Sequence, residues 1–167
     1  AVMDRDPERA QEALAKAQKL TKEGLTAVRQ SVAALRESPV DNLTLIDAIQ
    51  SLVQEARSSG LVVEFERLGE RRSLDSQTKL TLFRVAQEGL TNVRKHAHAS
   101  RVDVVLDYSL PQTVRLAISD NGVGKSTAVG DGFGLIGMRE RIRLLGGRLT
   151  IDSAAGKGFR LETAVPG

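Results

Sequence analysis

The sequence predicts an α+β fold: a two-layer α/β sandwich, with helices on one face of a mixed, largely antiparallel sheet, preceded by a long N-terminal helix. Three observations carry this expectation. Residues 6–37 contain no proline past Pro7 and keep a helical spacing of apolar residues. After Ser38-Pro39 that single pattern gives way to an alternation of helical stretches with short runs rich in β-forming residues. Two pairs of those runs are separated by turn sequences short enough for hairpins, at residues 109–112 and 155–158.

In the first helix Ala, Leu, Lys, Gln and Arg dominate, and Leu25, Val28, Val32 and Leu35 recur in steps of three and four. This heptad-like seam continues backwards more weakly through Thr21, Gln18 and Leu14, which suits a bundle member better than an autonomous coiled coil. Pro39 disfavours helical geometry in Ser38, and residues 40–43 read as a linker. The expected division is therefore residues 1–38 and residues 39–167. In the second region residues 44–58 are helical and stop at Gly60, and residues 61–67 form a strand around Val62, Val63 and Phe65. Residues 77–96 form a long helix. Residues 101–108 and 113–119 form a hairpin, residues 135–145 a helix stopped by Gly146-Gly147, and residues 148–153 and 159–165 a second hairpin.

At 167 residues and 41% hydrophobic content, the chain can bury one sizeable core and carry an extension. Its 24 Lys and Arg against 21 Asp and Glu leave a net charge of +3, scattered and with few aromatics between, which argues against a nucleic-acid partner. The absence of cysteine excludes disulfides, thiolate metal sites and cysteine nucleophiles. No apolar run approaches the roughly 20 residues of a membrane span, and no signal-peptide pattern opens the chain, so a cytoplasmic location is expected. The start at Ala1 fits a fragment of a longer protein, or a processed terminus.

Residues 87–97, QEGLTNVRKHA, carry the first functional signal. At about 100° per residue, Phe83, Ala86, Leu90, Val93 and Ala97 form an apolar stripe, while Arg84, Glu88, Asn92, Lys95 and His96 gather on the other side. A solvated surface face would look similar. Gly89 and Asn92 argue for more, because both weaken a helix interior, Gly by about 1 kcal/mol relative to Ala. Something is expected to approach that face closely.

The second signal follows the strand that ends near Ser119: Asp120-Asn121-Gly122-Val123-Gly124-Lys125-Ser126, then a polar stretch, then Gly132-Phe133-Gly134-Leu135-Ile136-Gly137-Met138. A phosphate-cradling P-loop would need a glycine at Ser119 and a helix directly after Ser126, and has neither. A dinucleotide fingerprint matches Gly132 to Gly137 letter for letter but lacks the strand that should precede it. Turn glycines alone are the bland alternative.

Joined to the helix face, the segment resembles the ATP-binding domain of the histidine kinase, gyrase, Hsp90 and MutL superfamily. Glu88, Asn92, Lys95 and His96 match its N box, Asp120, Gly122 and Gly124 its first glycine box, and Gly132, Gly134 and Leu135 its second. The run from Gly134 through Gly137 to Arg141 is similar to the nitrate-sensor and DesK-like histidine kinases of two-component systems, as is Asp6-Pro7-Glu8 opening the first helix. The resemblance implies an ATP and Mg²⁺ site. Asp120 would accept a hydrogen bond from the adenine amino group, and Asn92 would bind the metal through its amide oxygen. Lys95 and His96 would face the triphosphate, and amides following Gly134 would add phosphate donors. Glu88 is the candidate catalytic base or orienting group. Residues 125–131 would be a lid over ATP, with Lys125 on phosphate or in solvent. For Arg139, Arg141 and Arg143 a solvated helix face is the expectation, and for His98 a surface position.

Such a kinase needs a phosphoacceptor His on the first helix of a dimerisation hairpin. The two histidines here, His96 and His98, both lie in or beside the N box. The chain is therefore expected to bind ATP without phosphorylating itself, with residues 1–38 as the second helix of that hairpin and the first helix absent. The implied partners are that missing helix, a second copy in a full-length homodimer, and a response regulator whose Asp receives the phosphate. Phe159 stands where the family commonly has Thr, which bears on adenine binding. A non-kinase ATP-binding switch of the same fold and an anti-sigma-type protein-serine kinase are the alternatives.

Overall fold

The computed structural model describes residues 43–124 and 133–167, together with Gln11, Leu14 and Thr21. The chain divides into two units, Ala1–Ser38 and Pro39–Gly167. In the first unit Gln11, Leu14 and Thr21 are helical. The remainder of the expected 6–37 helix lies outside the described residues, as do linker residues 40–42.

The second unit opens with helix α1, Leu45–Ser58. Thr44, read from sequence as its first residue, is instead its cap. The hydroxyl of Thr44 accepts the Asp47 amide at 3.2 Å and the Asp47 carboxylate accepts the Thr44 amide at 3.3 Å, a reciprocal box that satisfies two amides left over at the helix start. Leu45, Ala48, Ile49, Val53 and Ala56 are buried at helical spacing. Gly60, at φ +89, turns the chain into strand β1, Val62–Leu68. Two guanidinium nitrogens of Arg57 donate to the Val63 carbonyl, at 2.9 and 2.6 Å.

Helix α2, Ser76–Asn92, is the crossover that lets β1 run parallel to strand β2, Arg101–Asp107. The Asp75 carboxylate caps its start by accepting the Thr78 amide at 3.0 Å. The predicted helix over 77–96 differs at its end, because Val93–Ala97 form a wider π-helical turn and His98 exits in the left-handed conformation at φ +49. Strand β3, Thr113–Asp120, then pairs antiparallel with β2, and after helix α3, Phe133–Leu144, strands β4, Arg148–Ser153, and β5, Phe159–Pro166, form the second hairpin. The sheet order is β1-β2-β3-β5-β4, with only the β1–β2 pair parallel.

Along β2 and β3 every second residue is buried: Val102, Val104 and Leu106, then Val114, Leu116, Ile118 and Asp120. This period of two turns one face of the sheet into the core, against Leu82, Val85, Ala86 and Leu90 of α2 and Met138 and Ile142 of α3. Gly89 belongs to that buried contact and not to the polar face. A Cβ there would come 2.5 Å from Ile118 Cδ1, so the glycine lets α2 settle onto the sheet, and the sequence-based reason for it needs correction. Among the described residues no helix is long and apolar enough to cross a membrane.

Arg72, in the connection before α2, ties together three segments far apart in sequence. It donates to the carbonyls of Gly167 at 2.8 Å, Tyr108 at 2.9 Å and Thr113 at 2.7 Å, and its guanidinium lies 5.9 Å from the Tyr108 ring centre. A net worth of about 0.5–1.5 kcal/mol per bond gives the expectation that Arg72→Ala lowers stability by about 1–3 kcal/mol in urea unfolding. Arg72→Lys should recover little, since an ammonium cannot serve three carbonyls in one plane. At the α2 cap, hydrogen bonds from Thr78 hold the Asp75 carboxyl below its ordinary value of 3.8. That stabilisation is complete above the ordinary value and is lost as pH falls through the lower folded one. Asp75→Ala should cost about 1 kcal/mol at neutral pH and flatten the acid limb of a stability-against-pH curve.

Candidate functional site

A cleft opens where the C-terminal end of α2, the end of β3 and the start of α3 meet. It holds about 650 Å³ of empty space, open solvent at its mouth included. One wall is α2 and its π turn. Glu88, Asn92 and His96 stand on the polar side of this wall, and Val93 and Ala97 line its buried side. The wide turn keeps Asn92, Val93, His96 and Ala97 on one surface, and such turns recur at functional sites.

The opposite wall is held by backbone contacts between β3 and that turn. The Val123 amide donates to the Ala97 carbonyl at 2.8 Å, and a Cβ on Gly122 would collide with the same oxygen. Asn121 secures the strand end a second time, accepting the amides of Ser100 at 3.0 Å and Arg101 at 2.9 Å and donating to the Ser100 hydroxyl at 2.9 Å. Asp120 is thereby fixed in the cleft wall with only 9% of its surface exposed. Its Oδ1 accepts the Gly122 amide at 2.8 Å. No buried side-chain polar atom lacks a partner among the described residues, and Oδ2 has no protein partner there, so Oδ2 is reached from the cleft.

The third wall is the first turn of α3. A Cβ on Gly134 would strike the Glu88 carboxylate, so the two elements touch at that point, and Leu135 lies beside them at 8% exposure. Gly124, at φ +65, closes the cleft with a backbone only glycine adopts readily, packed onto the carbonyls of Ala154 and Gly158. The Gly156 amide donates to the Val123 carbonyl at 2.7 Å and fastens this turn to the β4–β5 hairpin.

The structure thus gathers Glu88, Asn92, His96, Asp120, Gly124, Gly134 and Leu135 around one cleft. Lys95 is exposed and does not line it. Gly122 serves the packing on Ala97 and not the lining, and Gly137 sits further along α3, where a Cβ would meet only the Arg141 guanidinium at 3.4 Å. Gly132, like lid residues 125–131, lies outside the described residues. Arg139, Arg141, Arg143 and His98 are exposed. Sequence reasoning assigned Val93 and Ala97 to the core alone, and did not single out Asn121. The first two carried a signal, since the apolar stripe outruns the sheet that covers it. Asn121 carried none beyond being a turn residue.

The Asn92 amide has no protein partner among the described residues. Its oxygen is a hard donor of the kind Mg²⁺ takes. Among the described residues no group of three or more His, Cys, Asp or Glu is placed to hold a metal ion.

Residues 77–167 match the family described as "Histidine kinase-, DNA gyrase B-, and HSP90-like ATPase". The signal transduction histidine-protein kinase/phosphatase UhpB of Salmonella typhimurium is 40% identical over 143 residues, covering 84% of this chain and 28% of UhpB. The protein of the same description, DegS of Brevibacillus brevis, is 34% identical over 151 residues, covering 89% of this chain and 39% of DegS. The chain spans well under half the length of these relatives. The solved histidine kinase AdeS of Acinetobacter baumannii shares the fold, with a TM-score of 0.62 at 18% identity over 93% of this chain and 84% of AdeS.

The glycines separate into three classes that unfolding experiments can tell apart. Gly122→Ala forces a methyl onto a backbone carbonyl and should cost about 2 kcal/mol or more. Gly137→Ala would make only a van der Waals contact with the flexible Arg141 guanidinium and should gain up to about 1 kcal/mol on its helix. Gly134→Ala confronts only a flexible carboxylate tip, so its stability should stay close to wild type while the Glu88 side chain moves.

Proposed function

The chain belongs to the histidine kinase-, DNA gyrase B- and HSP90-like ATPase family, and from that premise we propose that the cleft binds ATP with Mg²⁺ and presents the γ-phosphate to a histidine of a two-component sensor kinase. The observation that carries this reading is the nearly buried Asp120 in the cleft wall, its Oδ2 unpartnered among the described residues, in the same lining as the Asn92 amide, also unpartnered among them. A carboxylate so placed accepts the amino group that adenine has and guanine lacks at that position. The amide oxygen stands one turn from Glu88, where the phosphates of a nucleotide anchored at Asp120 would lie.

Binding and positioning account for most of the chemistry expected of these side chains, since phosphoryl transfer asks little covalent work of a protein. Asp120 fixes the base, Asn92 the metal-phosphate end, and His96 adds a hydrogen-bond donor at the rim. Amides of the first turn of α3, unsatisfied within their own helix, add donors beside Gly134 and Leu135. Asn92 would hold Mg²⁺ through its amide oxygen, and the ion would supply charge neutralisation to the phosphates. Glu88 accepts a hydrogen bond from one imidazole N–H of the incoming histidine, which leaves the other nitrogen's lone pair to attack phosphorus as ADP departs. Lys95, exposed and outside the lining, is assigned solvent or partner contact instead of the triphosphate.

Neither His96 nor His98 lies within residues 1–38, so the acceptor histidine is assigned to a helix outside this chain. Residues 1–38 would then supply the second helix of the dimerisation hairpin, in a parent that dimerises, works in the cytoplasm and passes the phosphoryl group to an Asp of a response regulator.

Titration calorimetry with ATP and Mg²⁺ tests the binding step. Asp120→Asn should weaken ATP at least tenfold, and Asn92→Ala should remove the Mg²⁺ dependence of binding. For transfer, the chain is mixed with labelled ATP and a peptide of a histidine-bearing first helix. Acid-labile label on the peptide is expected, with Glu88→Gln binding ATP normally but transferring about 100-fold more slowly. Acid-stable label on a serine-containing partner would replace the histidine reading with a serine kinase, and binding without transfer would leave an ATP-dependent switch.

A further inference from the structure

The first residue of β5 has no part in the functional reading so far. Phe159 pairs with Asp120 on one side and with Ser153 on the other. Directly opposed residues of an antiparallel pair project to the same face with Cβ atoms about 4.5–5.5 Å apart, so Phe159 and Asp120 leave adjacent backbone positions toward the cleft that both line. Its neighbours along the strand on that face, Leu161, Thr163 and Val165, are fully buried. Phe159 is half-buried and lines the cleft, which makes it, among the described residues, the only Phe or Tyr in the lining. Its position is not adjustable. Gly158, at φ +73, is packed so tightly that a Cβ would collide with the Asp120 carbonyl, and the Ser153 hydroxyl donates to the Gly158 carbonyl at 3.1 Å.

We propose that Phe159 is a base-selecting residue: its ring forms an apolar wall for the purine and keeps water away from the free oxygen of Asp120. The inference rests on the reading of the cleft as an adenine-nucleotide site. Guanine and hypoxanthine present a carbonyl where adenine presents an amino group, so against Asp120 they set acceptor to acceptor. A bridging water, donating to both, would relieve that mismatch. Beside an aromatic wall no such water is accommodated, and the carbonyl base is rejected more strongly because the carboxylate oxygen is left unpaired. The ring also supplies a flat apolar surface of the kind purines pack against.

The test compares ADP with inosine diphosphate, both with Mg²⁺, by calorimetry on the 167-residue chain. The wild type should prefer ADP. Phe159→Thr and Phe159→Val, both β-branched and suited to a strand, should weaken ADP about fivefold and narrow the inosine-to-adenine ratio at least threefold, while Phe159→Leu, which keeps apolar bulk, should hold the ratio near wild type. The valine variant separates loss of the ring from a new hydroxyl, and retained circular dichroism identifies folded samples. A wild-type ratio in the valine variant overturns the proposal, as does a wild type that takes both nucleotides equally. A folded wild type that takes neither removes the adenine-site reading and this inference with it.

Discussion

The cleft depends on the close approach of the β3 terminus to the end of α2. The Ala97 carbonyl accepts the Val123 amide, and the backbone at Gly122 lies too near that oxygen for any side chain. One hydrogen bond of this kind contributes only about 1 kcal/mol net. Its importance is geometric. It sets the distance between the wall that carries Asp120 and the wall that carries Asn92, and the rigid neighbours on each side give it no slack. On the helix side the π turn exposes the carbonyl, and on the strand side Asn121 holds the chain through two amides and a hydroxyl.

Much of the fold was legible because its elements obey simple periods. Runs of β-forming residues at 101–108 and 113–119 marked two of the strands, and the turn sequences at 109–112 and 155–158 marked the hairpins. The boundaries that differed are those set by tertiary contact. Thr44 reads as a good helix opener, yet its hydroxyl is engaged as a cap. Val93–Ala97 carry an unbroken α-helical stripe, and nothing in that spacing announces a wider turn. The parallel pairing of β1 with β2, by contrast, follows from having α2 between them.

The site was legible to a different degree. Glu88, Asn92 and Asp120 fall around one cleft because helix phase and a strand end are local properties. Glycines were harder to read. Gly89, Gly122 and Gly124 all signal close approach, but to different partners: a core isoleucine, a helix-end carbonyl, and the turn of a distant hairpin. Sequence reports that a side chain is excluded, not what excludes it. Phe159 shows the converse, because a residue notable only for replacing another type stands, through strand register, beside the carboxylate of the opposite strand.

A last consequence comes from Arg57. In a parallel pair alternate residues turn their amides and carbonyls away from the partner, so β1 offers Val63 on the outside of the sheet, where among the described residues no further strand follows it in the order. With two guanidinium nitrogens already on that carbonyl, an incoming strand would have to displace a cation before forming its first ladder bond. The border of the sheet is thereby a poor template for growth. Copies of the chain are discouraged from zipping together along the β1 edge, although Val62 beside it is 58% exposed.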